Sequence, residues 1–147
     1  MMYRANRNVV FACQYHVIFC PKYRRKVLIG EVDQRLKAIA RAVAAEMRVE
    51  IMEMEADQDH IHLLVSVDPQ WGVNRFVKTL KGRSSRLLRA EFPHLRSQLP
   101  TLWSNSYFVT TVGGAPLAIV QRYIQNQPTS ERPKQRDKWT AYLESLQ

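Results

Sequence analysis

Between Val49 and Val67 the sequence reads VEIMEMEADQDHIHLLVSV, two runs that alternate in character with period two around the turn-forming Asp57-Gln58-Asp59. Period two marks a strand, and turn residues between two such runs close an antiparallel hairpin. A hairpin alone cannot bury an apolar face, so the rest of the chain must cover it. Two flanking segments have the pattern to do so. After Gly30, EVDQRLKAIARAVAAEMRV sets Val32, Leu36, Ile39, Ala40 and Val43 along one side of a helix. Past Trp71, the residues Val73, Phe76, Val77, Leu80, Leu87 and Leu88 form a second helical stripe beside Lys78, Lys81, Arg83, Arg86 and Arg89. Gly82 is a place for that helix to bend or break.

The remaining pieces complete an order of elements. VVFACQYHVIFC, from Val9 to Cys20, is β-branched and aromatic and reads as a strand that Pro21 stops. PKYRRKVL follows as a basic turn or short extension. SNSYFVTTVGG is a fourth strand closed by a glycine pair, and Pro116 opens a last helix, PLAIVQRYIQNQ, that Pro128 ends. The succession strand, helix, strand, strand, helix, strand, helix predicts an α+β, ferredoxin-like (RRM-like) four-stranded antiparallel sheet with helices on one face plus a C-terminal helix. One domain over 1–147 is expected, its 128–147 segment a polar tail.

Charge and cysteine content narrow the class. Lys and Arg outnumber Asp and Glu by 22 to 13, a net +9, with clusters at KYRRK and KGRSSRLLR. Such an excess favours an anionic partner, nucleic acid or a membrane surface, although it can also serve solubility alone. No apolar stretch approaches the ~18 residues of a membrane span, and MMYRANRNVV lacks the apolar core of a signal peptide, so the cytoplasm is the expected location. Cys13 and Cys20 fit neither a CxxC metal pair nor a disulfide framework and are read as free thiols.

Two pairs of side chains carry chemistry. On a strand, residues two apart face the same way, so His60 and His62 share a side. They are two solvent-facing imidazoles, or they are two nitrogens for one ion. Imidazole mixed with amide or carboxylate oxygen suits Mg2+ or Mn2+ better than a closed zinc site. On the last helix, Tyr123 and Gln127 stand at i and i+4 and project from the same side. By spacing alone Tyr123 is as well an amphipathic tyrosine at the core edge. Trp71, Trp103, Trp139, His16 and His94 receive no assignment, His16 being relevant only if its strand face is that of the pair.

YHVIFCPKYRR, DHIHLLV and RYIQNQ, in this order between Tyr15 and Gln127, together resemble the HUH-type single-tyrosine transposases of small bacterial insertion sequences. The resemblance implies a catalytic C-terminal helix with Tyr123 as nucleophile and a metal site of His60, His62 and Gln127, holding Mg2+ or Mn2+. It also implies cleavage and rejoining of single-stranded DNA hairpins through a 5′-phosphotyrosine, in a homodimer whose subunits share their active sites. Asp59 precedes the motif but is given no ligand role. Arg24, Arg25, Lys78, Lys81, Arg83 and Arg86 are the candidate DNA contacts. Two other readings stay open: a domesticated relative that processes dispersed repeats, and a noncatalytic nucleic-acid-binding module on the same scaffold.

Overall fold

The computed structural model describes residues 3–112 and 117–130. The expected glycine closure at 113–114, Pro116, Trp139 and the tail past Ser130 lie outside the described residues. The elements are β1 (Arg4–Ala5), β2 (Val10–Phe11), β3 (Gln14–Phe19), a 3-10 turn (Lys22–Arg24), α1 (Gly30–Met47), β4 (Glu50–Asp57), β5 (His60–Ser66), α2 (Val73–Glu91), α3 (Pro93–Gln98), β6 (Phe108–Thr111) and α4 (Leu117–Gln125). One sheet has the order β4-β5-β3-β6, and every neighbouring pair in it is antiparallel. The α1 crossover skips over β5, and the α2 crossover skips over β3. This is the interleaved ferredoxin-like arrangement that the order of elements predicts.

Alternation along the strands divides the sheet into two different faces. Val17 and Phe19 of β3 join Ile61, Leu63 and Val65 of β5 in a core with Val32, Leu36, Ile39, Ala40 and Val43 of α1 and Phe76, Val77, Leu80 and Leu88 of α2. Ile61, between the two histidines, is fully buried in this core. Each large aliphatic side chain buried there contributes roughly 1.5–3 kcal/mol, which pins the strand register. Once the register is set, His60 and His62 must face the other side.

Four departures from the sequence pattern have local causes. The first apolar segment breaks at Ala12-Cys13, so β2 turns off to pair with β1 in a two-stranded ribbon and only β3 enters the main sheet. Cys13 still uses its carbonyl, accepting from the Val67 amide at 2.9 Å. In β4 the pairing shifts between Ile51 and Glu53, leaving Met52 exposed at the bulge. Gly82 does not break α2, which runs through it from Val73 to Glu91. The break comes instead at Phe92, because Pro93 has no N–H to continue the ladder and starts α3 in its first turn.

Candidate active site

The register places the sequence-predicted histidines on a defined grid. Glu55, His62, Ile18 and Phe108 form one row across β4, β5, β3 and β6, while Asp57 lies opposite His60 and His16 lies opposite Leu64. Cross-strand partners share a face, so His16, His60 and His62 all project on the side away from α1 and α2.

Each histidine of the pair has one ring nitrogen held by a neighbour. His60 Nδ1 is 2.9 Å from Asp59 Oδ1, and Asp59 Oδ2 accepts from Arg24 Nε at 3.0 Å. Arg24 reaches this position because the 3-10 turn takes Tyr23 and Arg24 through left-handed φ values of 58° and 52°. That conformation is unfavourable by about 1–3 kcal/mol per non-glycine residue and persists where surrounding contacts fix it, here with the Arg24–Asp59 ion pair. Donating Nδ1–H to a carboxylate fixes the tautomer of His60 and leaves its Nε2 lone pair available. His62 Nε2 is 2.9 Å from His16 Nδ1, with the ring centroids 5.1 Å apart and the ring planes 21° from parallel. Burial, and then His16, hold the His62 pKa below the ordinary imidazole value. It is therefore neutral at pH 7, the form that can bind a cation. Beside the pair, Asp57, Asp59 and His60 place ligand-type atoms within 4.8 Å of one another. The donor set fits a divalent cation in the range from Mg2+ to Mn2+.

Tyr123 and Gln127 occupy a separate recess. Tyr123 is buried, its ring 5.3 Å from that of Phe108, and its hydroxyl shares a 3.0 Å hydrogen bond with Ser106 Oγ. Burial raises its pKa well above the ordinary tyrosine value, the Ser106 bond opposing in part. Gln127 is also buried; its Oε1 accepts from Ser104 Oγ at 3.1 Å and its Nε2 donates to the Tyr123 carbonyl at 3.4 Å. Phe108 and His62 belong to one row two strand spacings apart, about 10 Å. Tyr123 thus packs over the histidine face, but its hydroxyl and the Gln127 amide are turned to Ser106 and Ser104, not to the imidazoles.

The six basic candidates fall into two groups. Arg25, Lys78 and Arg86 are exposed, Arg25 lying 5.9 Å from the Tyr23 ring. Arg24 is tied to Asp59 and Arg83 to Glu46 at 2.7 Å, while Lys81 Nζ donates to the Ser104 carbonyl at 2.7 Å and the Ser106 carbonyl at 3.2 Å. Lys81 therefore braces the segment that holds Tyr123 and Gln127. Burial lowers its pKa from 10.5 to about 8. Between these values the unfolded chain keeps a proton that the folded chain has released, so the Lys81 contribution makes folding more favourable as pH rises from about 8 to about 10.5. Partial exposure screens this to about 1 kcal/mol. Thermal midpoints of wild type relative to Lys81→Met should rise by a few degrees between pH 8 and pH 10. A constant difference between the two across that interval would contradict the assignment. Cys20, pushed up to about 12 by burial, shifts stability in the opposite direction, and because Lys81 and Cys20 act on each other the comparison is made with Cys20→Ala in both proteins.

Sequence reasoning left Asp59 and His16 without roles and did not single out Ser104 or Ser106. Asp59 was adjacent to the motif and could have been found from the habit of ligand histidines to hydrogen-bond a carboxylate. His16 needed the β3–β5 register. Trp103 is core: its ring meets Phe19 edge-on at 4.7 Å and its indole N–H donates to Ser84. Trp71 is exposed under the Arg75 guanidinium. His94 lies against Phe92. Among the described residues no helix is long and apolar enough to cross a membrane.

A sheet of this topology, with paired imidazoles and a tyrosine helix on one face, has its counterpart among transposases. Residues 9–127 match the family described as "Transposase IS200 like", and the chain belongs to that family. The ISDra2 transposase TnpA of Deinococcus radiodurans is 42% identical over 130 residues, 87% of this chain and 93% of that protein. The transposase for insertion sequence element IS200 of Salmonella typhimurium is 38% identical over 117 residues, 78% of this chain and 76% of its own. A crystal structure from Deinococcus radiodurans, described as that of a transposase, superposes with a TM-score of 0.78 at 37% identity, covering 86% of this chain and 99% of that one. The fold is also shared with a REP-associated tyrosine transposase bound to a REP hairpin, at 12% identity and a TM-score of 0.53, over 86% of this chain and 70% of that one.

Proposed function

We propose that this transposase cleaves and rejoins single-stranded DNA at hairpin-bearing element ends, with Tyr123 as nucleophile and His60, His62 and Gln127 as the residues that hold Mg2+ or Mn2+. The observation that carries it is the shared sheet face. His60 and His62 each have one ring nitrogen anchored, on the face over which Tyr123 packs. When bound there, a divalent cation polarises the scissile phosphodiester.

The chain's own residues do the rest. Tyr123 Oη forms a bond to phosphorus as the bond from phosphorus to the 3′-oxygen breaks; the phenolic proton is released and the leaving oxygen takes one up to become a 3′-hydroxyl. The product is a 5′-phosphotyrosine, which keeps the phosphodiester count and lets a later 3′-hydroxyl reseal DNA without ATP. Tyr123 leaves Ser106 and Gln127 leaves Ser104 for the site to assemble. One tyrosine per chain serves one DNA end, so two ends call for a homodimer whose subunits share their active sites. Exposed Arg25, Lys78 and Arg86 are the first candidates for phosphate contact, and Arg24, Lys81 and Arg83, each already engaged with a protein partner, come after them. The work is that of a cytoplasmic DNA enzyme.

The test uses hairpin DNA from the element's own ends, labelled at either terminus, with Mg2+ or Mn2+, resolved on a denaturing gel. The 3′-labelled strand should migrate as a protein adduct and the 5′-labelled strand as a shorter free fragment. An adduct on the 5′-labelled strand reverses the proposed polarity. Binding without any adduct in either metal favours the noncatalytic module.

A further inference from the structure

A third histidine, His16, stands on the same sheet face as His60 and His62 and in direct contact with His62. We propose that His16 is the positioning residue for His62: it accepts the N–H of His62 Nε2 and thereby presents His62 Nδ1 to the cation. The inference rests on the proposed cation site at His60 and His62.

A hydrogen bond between two neutral imidazoles fixes which nitrogen of each ring carries the proton. His16 Nδ1 and His62 Nε2 are 2.9 Å apart, a hydrogen-bond distance, so one nitrogen must donate and the other must accept. If His16 donates, the lone pair of His62 Nε2 is consumed while its Nδ1 carries the ring proton. His62 then has nothing to offer a cation. If His62 donates, its Nδ1 lone pair is free. Only the second tautomer joins cation binding at His62 with the observed contact. His60 follows the same logic through the other nitrogen, because Asp59 holds its Nδ1. The two histidines would thus meet the ion through different ring atoms, each oriented by its own partner.

A competing geometry has His16 as a third ligand, since two nitrogens on adjacent vertices of an octahedron with ~2.1 Å bonds are about 3.0 Å apart. Placement argues against it. His16 pairs with Leu64, which is four residues beyond His60 on β5, roughly 13 Å along the strand. The cluster of ligand-type atoms within 4.8 Å lies at the opposite end, at Asp57, Asp59 and His60. An ion shared by His60 and His62 therefore lies on the side of His62 remote from His16. Ring centroids 5.1 Å apart with a 2.9 Å nitrogen contact and planes at 21° set the two imidazoles edge to edge, the alignment that a ring N–H to ring nitrogen bond requires.

The decisive measurements are made on the full chain loaded with metal. With Mn2+, pulsed electron paramagnetic resonance of the wild type should count two imidazole nitrogens. His16→Phe, which keeps a ring but removes the acceptor, should weaken Mn2+ binding about 10–100-fold. His16→Asn, whose amide oxygen can stand where Nδ1 stood, should recover most of that loss. In the Mg2+-loaded wild type, 15N resonances should show His62 protonated at Nε2, a readout that needs no variant to fold. The proposal is overturned by three coordinated imidazoles, by protonation of His62 at Nδ1, or by unchanged Mn2+ affinity in a folded His16→Phe. No imidazole coupling in the wild type would instead remove the cation site itself, and the proposal with it.

Discussion

Tyr123→Phe is expected to eliminate the covalent protein–DNA adduct and all strand transfer while leaving hairpin binding intact. The substitution removes one oxygen, the atom assigned to attack phosphorus, and no other hydroxyl takes its place, so the fall in cleavage rate should be on the order of 10⁴-fold or more. Its structural consequence is small. The ring stays packed against Phe108, and Ser106, one of the groups that the hydroxyl meets, is an exposed residue that water can reach. Removing such a hydrogen bond costs about 1 kcal/mol or less. A thermal melt of Tyr123→Phe separates loss of the nucleophile from loss of the fold. A Tyr123→Phe protein that still forms the adduct on 3′-labelled hairpin DNA would transfer the nucleophile to another residue and sink the assignment.

The burial of Tyr123 sets a condition on its proposed role as nucleophile. Burial keeps the phenol protonated far above neutral pH, and Ser106 holds its hydroxyl. Gln127 is held in parallel by Ser104, and both serine carbonyls receive Lys81. The same short segment thus braces both residues that helix α4 would contribute. Under the proposed mechanism, α4 would release its two polar side chains from Ser106 and Ser104 together.

How much of this was legible in the sequence depends on whether a feature is local or depends on register. The apolar residues of α1 were readable because helical periodicity alone places Val32, Leu36, Ile39, Ala40 and Val43 on one side, and all five are buried. The β4–β5 hairpin was readable for the same reason with period two. The slip at Met52 was not, because a bulge is set by the partner strand rather than by the strand's own pattern. The division of Val9–Cys20 into β2 and β3 depended on a pairing with Arg4–Ala5 that no periodicity announces. At the candidate site, strand alternation put His60 and His62 on one side of their strand and helix spacing put Tyr123 and Gln127 on one side of their helix. Only the β3–β5 register could reveal His16 beside His62, and only the left-handed turn at Tyr23 and Arg24 could bring Arg24 to Asp59.

That turn leads to the second large effect, which separates ligand from support. His60→Ala removes a nitrogen from the proposed cation site, so metal-dependent cleavage should fall to background at every Mn2+ concentration, with hairpin binding retained. Asp59→Asn changes the same site through its partner. It preserves shape, but it cancels the charge that pairs with Arg24 and replaces the carboxylate at His60 Nδ1 with an amide. Loss of such a supporting group typically weakens metal binding about 10–100-fold. Cleavage measured against Mn2+ concentration should therefore keep its plateau in Asp59→Asn and move its midpoint upward by that factor, whereas His60→Ala should lose the plateau. Arg24→Ala should move the midpoint in the same direction by less, because Asp59 remains to orient His60. If Asp59→Asn lowers the plateau at saturating metal, Asp59 acts on the reacting groups and not through His60. If it weakens hairpin binding as much as cleavage, the Arg24–Asp59 pair serves the DNA surface instead.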